Sequence, residues 1–416
     1  MRYVKDLLKK AKEASFLLAK LDTQIKNKAL LKMAEYLLKN ENFILKENQK
    51  DLLQATKNKL PKSFIDRLTL NSKRLLLMSK SLEEIAKLDD PVGKLISSWS
   101  RPNGLLVQKV RVPIGVILII YEARPNVTSD CIGLLFKSAN VGILRGGSDA
   151  FNSNLAIANV LYKAIKDVGI DFSPFFVVKK KDYKVTELLL KEDNFIDLVI
   201  PRGGEALIKK VVNLSKIPVI KHYKGVCHIY VDNQIDFDKA LNICVNAKVQ
   251  RPAVCNAVEK ILVHKDIAKD FLPLLKQEFD KYNVEMRGDK ETCKILKKIK
   301  RAKKNDWFEE YLDLIVTIKI VENLEEAISH INFYGSHHTD SIITLNEENA
   351  KKFLKEVDSA CCFKNISTRF SDGYQFGLGA EIGISTDKLH ARGPMGLEEL
   401  TTYKWIVQGD GQIRQE

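Results

Sequence analysis

One of the seven cysteines in the chain, Cys255, stands where sulfur can act as a nucleophile. The reactive form is the thiolate, and a neighbouring cation or oriented backbone N–H groups lower its pKa from about 8.5. In Gln250-Arg251-Pro252-Ala253-Val254-Cys255-Asn256 a proline interrupts a helical pattern, which places Cys255 on a turn, near Arg251 in sequence. The competing reading is a small buried hydrophobe, the common fate of a free cysteine. Asn126 is the second group of interest. In Tyr121-Glu122-Ala123-Arg124-Pro125-Asn126 the chain leaves the carboxyl end of an apolar strand, where an amide can donate to a developing oxyanion. A plain Pro-Asn turn competes with that reading. Two glycine turns, Arg145-Gly146-Gly147-Ser148 and Arg202-Gly203-Gly204-Glu205, each follow a strand pattern and precede a helical one. Glycine lets the backbone approach a phosphate, while a helix N-terminus and arginine supply amides and charge. Neither turn is a G-x-G-x-x-G fingerprint, and each is a weak signal alone.

Other groups carry less. Gly377-Leu378-Gly379 lacks a strand-to-helix setting, and His337-His338 lacks a metal-like partner at helical spacing. His222, His228 and His264 lie on strand patterns and read as core or edge residues. There is no Gly-x-Ser-x-Gly elbow and no P-loop.

The elements that must position these residues change along the chain. Residues 4–88 repeat apolar positions at helical spacing, as in Leu7, Leu8, Ala11 and Leu30, Leu31, Ala34, with a turn at 58–61. Residues 92–112 read as a β-hairpin turning at Pro102-Asn103-Gly104. Strands at 114–121, 141–144, 175–178, 197–200 and 218–220 then alternate with helices at 128–139, 149–168, 183–191 and 205–214. Short apolar strands between helices imply a parallel sheet covered on both faces. A second such block has strands at 228–231, 261–264 and 315–321, with helices at 240–249, 267–281 and 324–331. From residue 363 the chain is glycine-rich and irregular.

The chain has 416 residues, enough for two or three domains. Its 45% hydrophobic and 29% charged residues are those of a globular protein and too apolar for disorder. The formal charge is +14. The basic residues are spread without a long block, which favours an anionic substrate or a lysine-rich composition over a nucleic-acid partner. Seven scattered cysteines without a C-x-x-C pair argue against a disulfide framework and a zinc site, and for a reducing compartment. Residues 1–12 lack the apolar core of a signal peptide, and the longest apolar run, 114–120, is too short to span a bilayer. A cytoplasmic location is expected, with no membrane and no nucleic acid among the partners.

Taken together, residues 121–127, 141–147, 200–204, 218–232, 245–259 and 367–402 resemble the aldehyde dehydrogenase superfamily. Tyr121-Glu122-Ala123-Arg124-Pro125-Asn126-Val127 and His390-Ala391-Arg392-Gly393-Pro394-Met395-Gly396 are long enough to be specific. The resemblance implies an α/β fold of two doubly wound domains with a small β arm for oligomerisation. The cofactor-binding domain is expected at 1–93 and 113–224, the catalytic domain at 225–362, the arm at 94–112 and 395–416, and a site-lining segment at 363–394. It also implies that Cys255 is the nucleophile and Asn126 the oxyanion-holding amide. Arg145 aligns with a lysine that relatives place on the cofactor ribose, and Ser148 aligns where NAD-preferring members carry an acidic ribose ligand. Gly203, with Gly204, falls at the turn beside the pyrophosphate, and Glu310 at the nicotinamide ribose. Leu312 replaces a phenylalanine of many relatives.

The implied activity is NADPH-dependent reduction of L-glutamyl 5-phosphate to L-glutamate 5-semialdehyde with release of phosphate, in proline biosynthesis. Arg124 and Arg369 are candidates for the substrate carboxylate, because a guanidinium fork matches it. No metal is expected. The expected partners are the small-molecule substrate, further copies of the chain in a dimer or tetramer, and glutamate 5-kinase in transient contact. Oxidising relatives carry a water-activating glutamate where this chain reads Lys221-His222-Tyr223-Lys224-Gly225, so the acyl-enzyme should meet hydride and not water. Two alternatives stand beside this reading: an acylating dehydrogenase that uses coenzyme A, and a nucleic-acid-binding protein resting on charge alone.

Overall fold

The computed structural model of the chain describes residues 2–122 and 124–414; Met1, Ala123, Gln415 and Glu416, which fall in the expected segments and motif, lie outside the described residues. The chain divides into two compact units. The first comprises Met1–Lys221, Gly377–Gly383 and Met395–Glu416, and the second comprises His222–Phe376 and Ile384–Pro394.

In the first unit, five helices, Arg2–Leu18, Thr23–Lys39, Glu41–Lys57, Lys62–Leu68 and Ser72–Lys87, follow from the apolar spacing noted above. The hairpin Leu95–Ser100 and Leu106–Pro113 turns through Gly104, whose N–H donates to the Arg101 carbonyl at 2.9 Å. Gly104 has φ +85, a conformation that costs other residues. Thr401–Gln408 pairs antiparallel with Leu106–Pro113, so the last long strand completes a sheet begun some 300 residues earlier, on the order of a whole domain in chain length.

Four parallel strands form the other sheet, in the order Phe175–Val177, Val141–Gly146, Val116–Tyr121, Leu198–Arg202. Val116–Tyr121 is buried throughout, as a strand covered on both faces must be. The expected strand at 218–220 reduces to a single bridge between Val199 and Val219. Pro218 has no N–H to extend a ladder, although its carbonyl accepts from Val199 at 2.9 Å.

The second unit is a seven-stranded parallel sheet with Cys227–Val231 near its middle, between Val258–His264 and Thr339–Ile343. Alternate residues serve opposite faces. Ile229, Val231, Ile261 and Val263 pack with Phe271, Leu275 and Phe279, whereas Tyr230, Leu262 and Ile342 pack with Ile328, Ile331 and Phe353. Thr339–Ile343 escapes the hydrophobic pattern because buried Asp340 is satisfied by partners: it accepts from the His228 backbone N–H at 2.6 Å, meets His228 Nδ1 at 3.1 Å and accepts from Ser359. His222, expected on a strand, lies in the irregular stretch before Cys227. None of the seven cysteines is in a disulfide, and among the described residues no group of His, Cys, Asp and Glu is placed to hold a metal. No helix among them is long and apolar enough to cross a membrane.

A buried ion pair ties the helical layer to the segment that enters the hairpin. Lys26 Nζ lies 2.5 Å from Asp90 Oδ2, with the side chains 1% and 8% exposed. Lys26 also donates to the Lys137 carbonyl at 3.1 Å. Removing one partner strands a buried charge. Asp90→Ala should therefore lower unfolding stability by about 3 kcal/mol, and Lys26→Met combined with Asp90→Ala should recover most of the loss. Chemical denaturation of wild type and both variants checks this; a double variant as unstable as the single would refute it.

Candidate active site

The helix Phe237–Val249 ends at Gln250, and residues 251–257 turn before the strand Val258–His264 begins. Pro252 cannot donate within a helix, and the turn is closed by the Ala257 N–H on the Val254 carbonyl at 3.1 Å. Cys255 sits half-buried on this turn. The backbone of Gly225 passes so close that a Cβ there would stand 1.9 Å from the Cys255 carbonyl oxygen. Only glycine fits.

Beneath the turn, the Cys227 thiol donates to the Cys255 carbonyl at 3.2 Å. Burial holds the Cys227 thiol well above its usual pKa, so it stays a neutral donor. His338, whose Nδ1 is 3.8 Å from that sulfur, is pushed down to about 3 by burial and carries no charge at neutral pH. The cation beside the turn is Arg369. Its Nε donates to Gln250 Oε1 at 2.9 Å and its Nη1 to Asn256 Oδ1, while Asn256 Nδ2 donates to the Ser371 carbonyl at 2.8 Å. Burial lowers the guanidinium pKa, Arg251 pushes the same way, and Cys255 opposes them. Arg369 thus joins Cys255 in one electrostatic neighbourhood.

Glu310 is half-buried on the loop that precedes Ile315–Val321. Charged residues that the sequence reading passed over moor this loop. Lys260 Nζ donates to the Glu309 carbonyl at 2.7 Å, and Lys248 Nζ donates to the Asp313 carbonyl at 3.1 Å and to Glu259 Oε2 at 3.0 Å. Tyr311 donates to Asp306 at 2.7 Å, and Leu312, at φ +53, donates its N–H to Glu259 at 3.4 Å. Burial brings Lys260 down to about 7 and Glu259 up to about 7, each shift opposed by the neighbouring opposite charge. The signal was present: two charged residues, Glu259 and Lys260, interrupt the apolar pattern of the strand Val258–His264.

In the first unit, register brings three strand ends together. Tyr121 is paired with both Gly146 and Arg202, which sets the Asn126 turn between the two glycine turns at the carboxyl edge of the sheet. Asn126 is exposed and opens the helix Asn126–Lys137; its Nδ2 donates to Asp130 Oδ2 at 3.2 Å. Arg124 is exposed just before it. Arg145 is half-buried, its Nε donating to Thr186 Oγ1 and its Nη2 to the Lys181 carbonyl, both at 3.1 Å, and its Nη1 to the Gly146 carbonyl. Ser148 is exposed at the start of the 3-10 turn Ser148–Ala150. Gly203 and Gly204 are exposed ahead of the helix Glu205–Leu214. Glu122 accepts from the Gly204 N–H at 3.0 Å, so that amide already has an anionic partner. Exposed Lys179, Lys180 and Lys181 follow the edge strand Phe175–Val177. An edge with exposed glycine backbone, a hydroxyl at 148 and this basic run suits the phosphates of a nicotinamide dinucleotide.

Known proteins resemble this chain in sequence and fold. Residues 2–313 match the aldehyde dehydrogenase family. The gamma-glutamyl phosphate reductase of Thermodesulfovibrio yellowstonii is 53% identical, over 98% of this chain and 97% of that protein. The protein of the same name from Caldanaerobacter subterraneus is 54% identical over 98% of both chains. Among solved structures, the gamma-glutamyl phosphate reductase of Thermotoga maritima superposes with a TM-score of 0.97 at 46% identity, covering 99% of this chain and 100% of that one. An acetylating aldehyde dehydrogenase from Geobacillus thermoglucosidasius, 16% identical with a TM-score of 0.70 over 100% of this chain and 98% of that one, shares the fold. The chain is an oxidoreductase that belongs to the aldehyde dehydrogenase family.

Proposed function

We propose that the chain catalyses NADPH-dependent reduction of L-glutamyl 5-phosphate to L-glutamate 5-semialdehyde with release of phosphate, the second step of proline biosynthesis from glutamate. The observation that carries the reading is the Cys255 turn, with Arg369 beside it, in a chain half identical over nearly its full length to proteins named gamma-glutamyl phosphate reductase. The Cys255 thiolate attacks the acyl carbon, and Asn126 with the Cys255 backbone N–H takes up the charge on the carbonyl oxygen. The carbon–oxygen bond to phosphate then breaks, phosphate leaves with the electron pair, and the acyl group remains on sulfur as a thioester. NADPH, when bound, supplies the hydride that takes the thioester to the aldehyde level, and the carbon–sulfur bond then breaks, its electron pair returning to Cys255 as the semialdehyde leaves. Arg145, Ser148, Gly203, Gly204 and Glu310 would hold that cofactor. Arg124 and Arg369 would hold the substrate carboxylate. The hairpin with the strand Thr401–Gln408 would serve oligomerisation, its Trp99, Tyr403 and Trp405 being exposed. The location that suits this reading is the cytoplasm.

The segment Lys221–Gly225 contains no carboxylate to activate water. Release of the acyl group to water needs a base within hydrogen-bond reach, whereas phosphate arrives already anionic. With glutamate semialdehyde (as its cyclic form, pyrroline-5-carboxylate) and NADP, NADPH formation should stop after one turnover and resume on adding phosphate. Coenzyme A should not replace phosphate. Cys255→Ala should bind cofactor yet lose at least about 100-fold in turnover, while Cys362→Ser remains active. Sustained turnover without phosphate, with glutamate as product, would sink the reading.

Cofactor choice follows from residue 148. An acidic side chain there would repel a 2′-phosphate, and serine does not. Ser148→Glu should shift the kcat/KM ratio of NADPH over NADH toward NADH. Equal kcat/KM values for the two cofactors in wild type would contradict the assignment.

A further inference from the structure

Within the reaction proposed above, on which this inference rests, we propose that Asp130 is a positioning residue that fixes the carboxamide of Asn126 with its N–H group facing the reacting oxygen. Asn126 and Asp130 stand four residues apart on the helix Asn126–Lys137, the spacing that stacks side chains on one face. Asn126 Nδ2 donates to Asp130 Oδ2 at 3.2 Å. The other carboxylate oxygen, Oδ1, accepts from Ser81 Oγ at 3.2 Å. Ser81 lies on the helix Ser72–Lys87, which packs so tightly here that a Cβ on Gly133 would come within 2.6 Å of Leu82 Cδ2. The carboxylate is therefore held from two helices. It cannot drift with the side chain it supports.

The chemistry of that contact sets an orientation. An ionised carboxylate only accepts, so an amide beside it must present nitrogen and not oxygen. One N–H of Asn126 is then committed to Asp130. Its side chain makes no other hydrogen bond among the described residues, which leaves the second N–H for a ligand. Without the carboxylate, the amide can turn over and offer its oxygen, which repels an oxyanion. Oxyanion sites work because donors are oriented before charge develops. The charged and titratable neighbours of Asp130 are Arg202, at the end of the adjoining strand, and Cys131. Burial raises Asp130 to about 6 while hydrogen bonds from Asn126 and Ser81, and the charge of Arg202, pull it down, so it is ionised at neutral pH. Burial pushes the Cys131 thiol up to about 12, which keeps it neutral.

The test is a double-mutant cycle on kcat in the phosphate-dependent oxidative direction, with KM values and melting temperature measured alongside. Asn126→Ala should lose on the order of 100-fold in kcat, as for removal of one oxyanion donor. Asp130→Asn keeps the shape but gives Asn126 a partner that both donates and accepts. It should lose about 10-fold in kcat, within the range for a misplaced catalytic group, with KM and melting temperature unchanged. Asn126→Ala combined with Asp130→Asn should be no slower than Asn126→Ala alone, because Asp130 acts through the group already removed. Should Asp130→Asn fold poorly, Asp130→Ala passes through the same cycle. If Asp130→Asn matches wild type, or its loss adds in full on the Asn126→Ala background, the positioning role is overturned while the role of Asn126 stands. If Asn126→Ala itself retains full kcat, the oxyanion reading fails first.

Discussion

The touching backbones of Gly225 and Cys255 are the constraint on which the thiol side of the molecule is built. No Cβ can stand at 225, so the chain that enters the central strand Cys227–Val231 is pressed against the turn that presents the sulfur. The pairing of that strand with Val258–His264 shifts register between Cys227 and His228, where the close approach gives way to regular ladder. From this contact two lines of support lead outward. One runs through the Cys227 thiol to the Cys255 carbonyl. The other runs along the second strand to Glu259 and Lys260, which grip the loop carrying Glu310. The proposed nucleophile and the expected ribose ligand thus share one foundation, though 55 positions separate them, on the order of half a domain of chain.

On the sheet of the first unit the same economy is electrostatic. Glu122 takes an amide at a helix start, Asp130 takes an N–H of Asn126, and Arg145 is folded onto carbonyls of its own neighbourhood. These three groups at the strand ends are tied to neighbours, which helps shape the turns before a ligand arrives. Such preorganisation is what makes a few modest hydrogen bonds useful in catalysis.

Much of this was legible in the residues themselves. Pro252 announced that the helix before Cys255 must stop, and it does so at Val249. Pro102-Asn103-Gly104 announced the hairpin turn, and the apolar runs announced the parallel strands. What stayed hidden obeys a different physics. Thr339–Ile343 is a buried strand, yet Asp340 breaks its apolar pattern because its partners come from positions 228 and 359. Arg369 reaches the Cys255 turn through Gln250 and Asn256, more than a hundred residues earlier. No local pattern encodes such pairings. The absent strand at 218–220 was the opposite error, an apolar run whose proline withholds the hydrogen bond that a ladder requires.

The path of the chain between the two units has a consequence for synthesis on the ribosome. The second unit holds all its residues once position 394 has emerged, but the first still waits for Met395–Glu416. Until then the hairpin strand Leu106–Pro113 has an open edge, and the Asn140 side chain lacks the Leu400 carbonyl that it meets at 2.7 Å in the finished fold. The unit begun first is thus finished last. For that interval the nascent protein carries a bare β edge, the kind of surface that chaperones shield and that neighbouring chains on a polysome can invade.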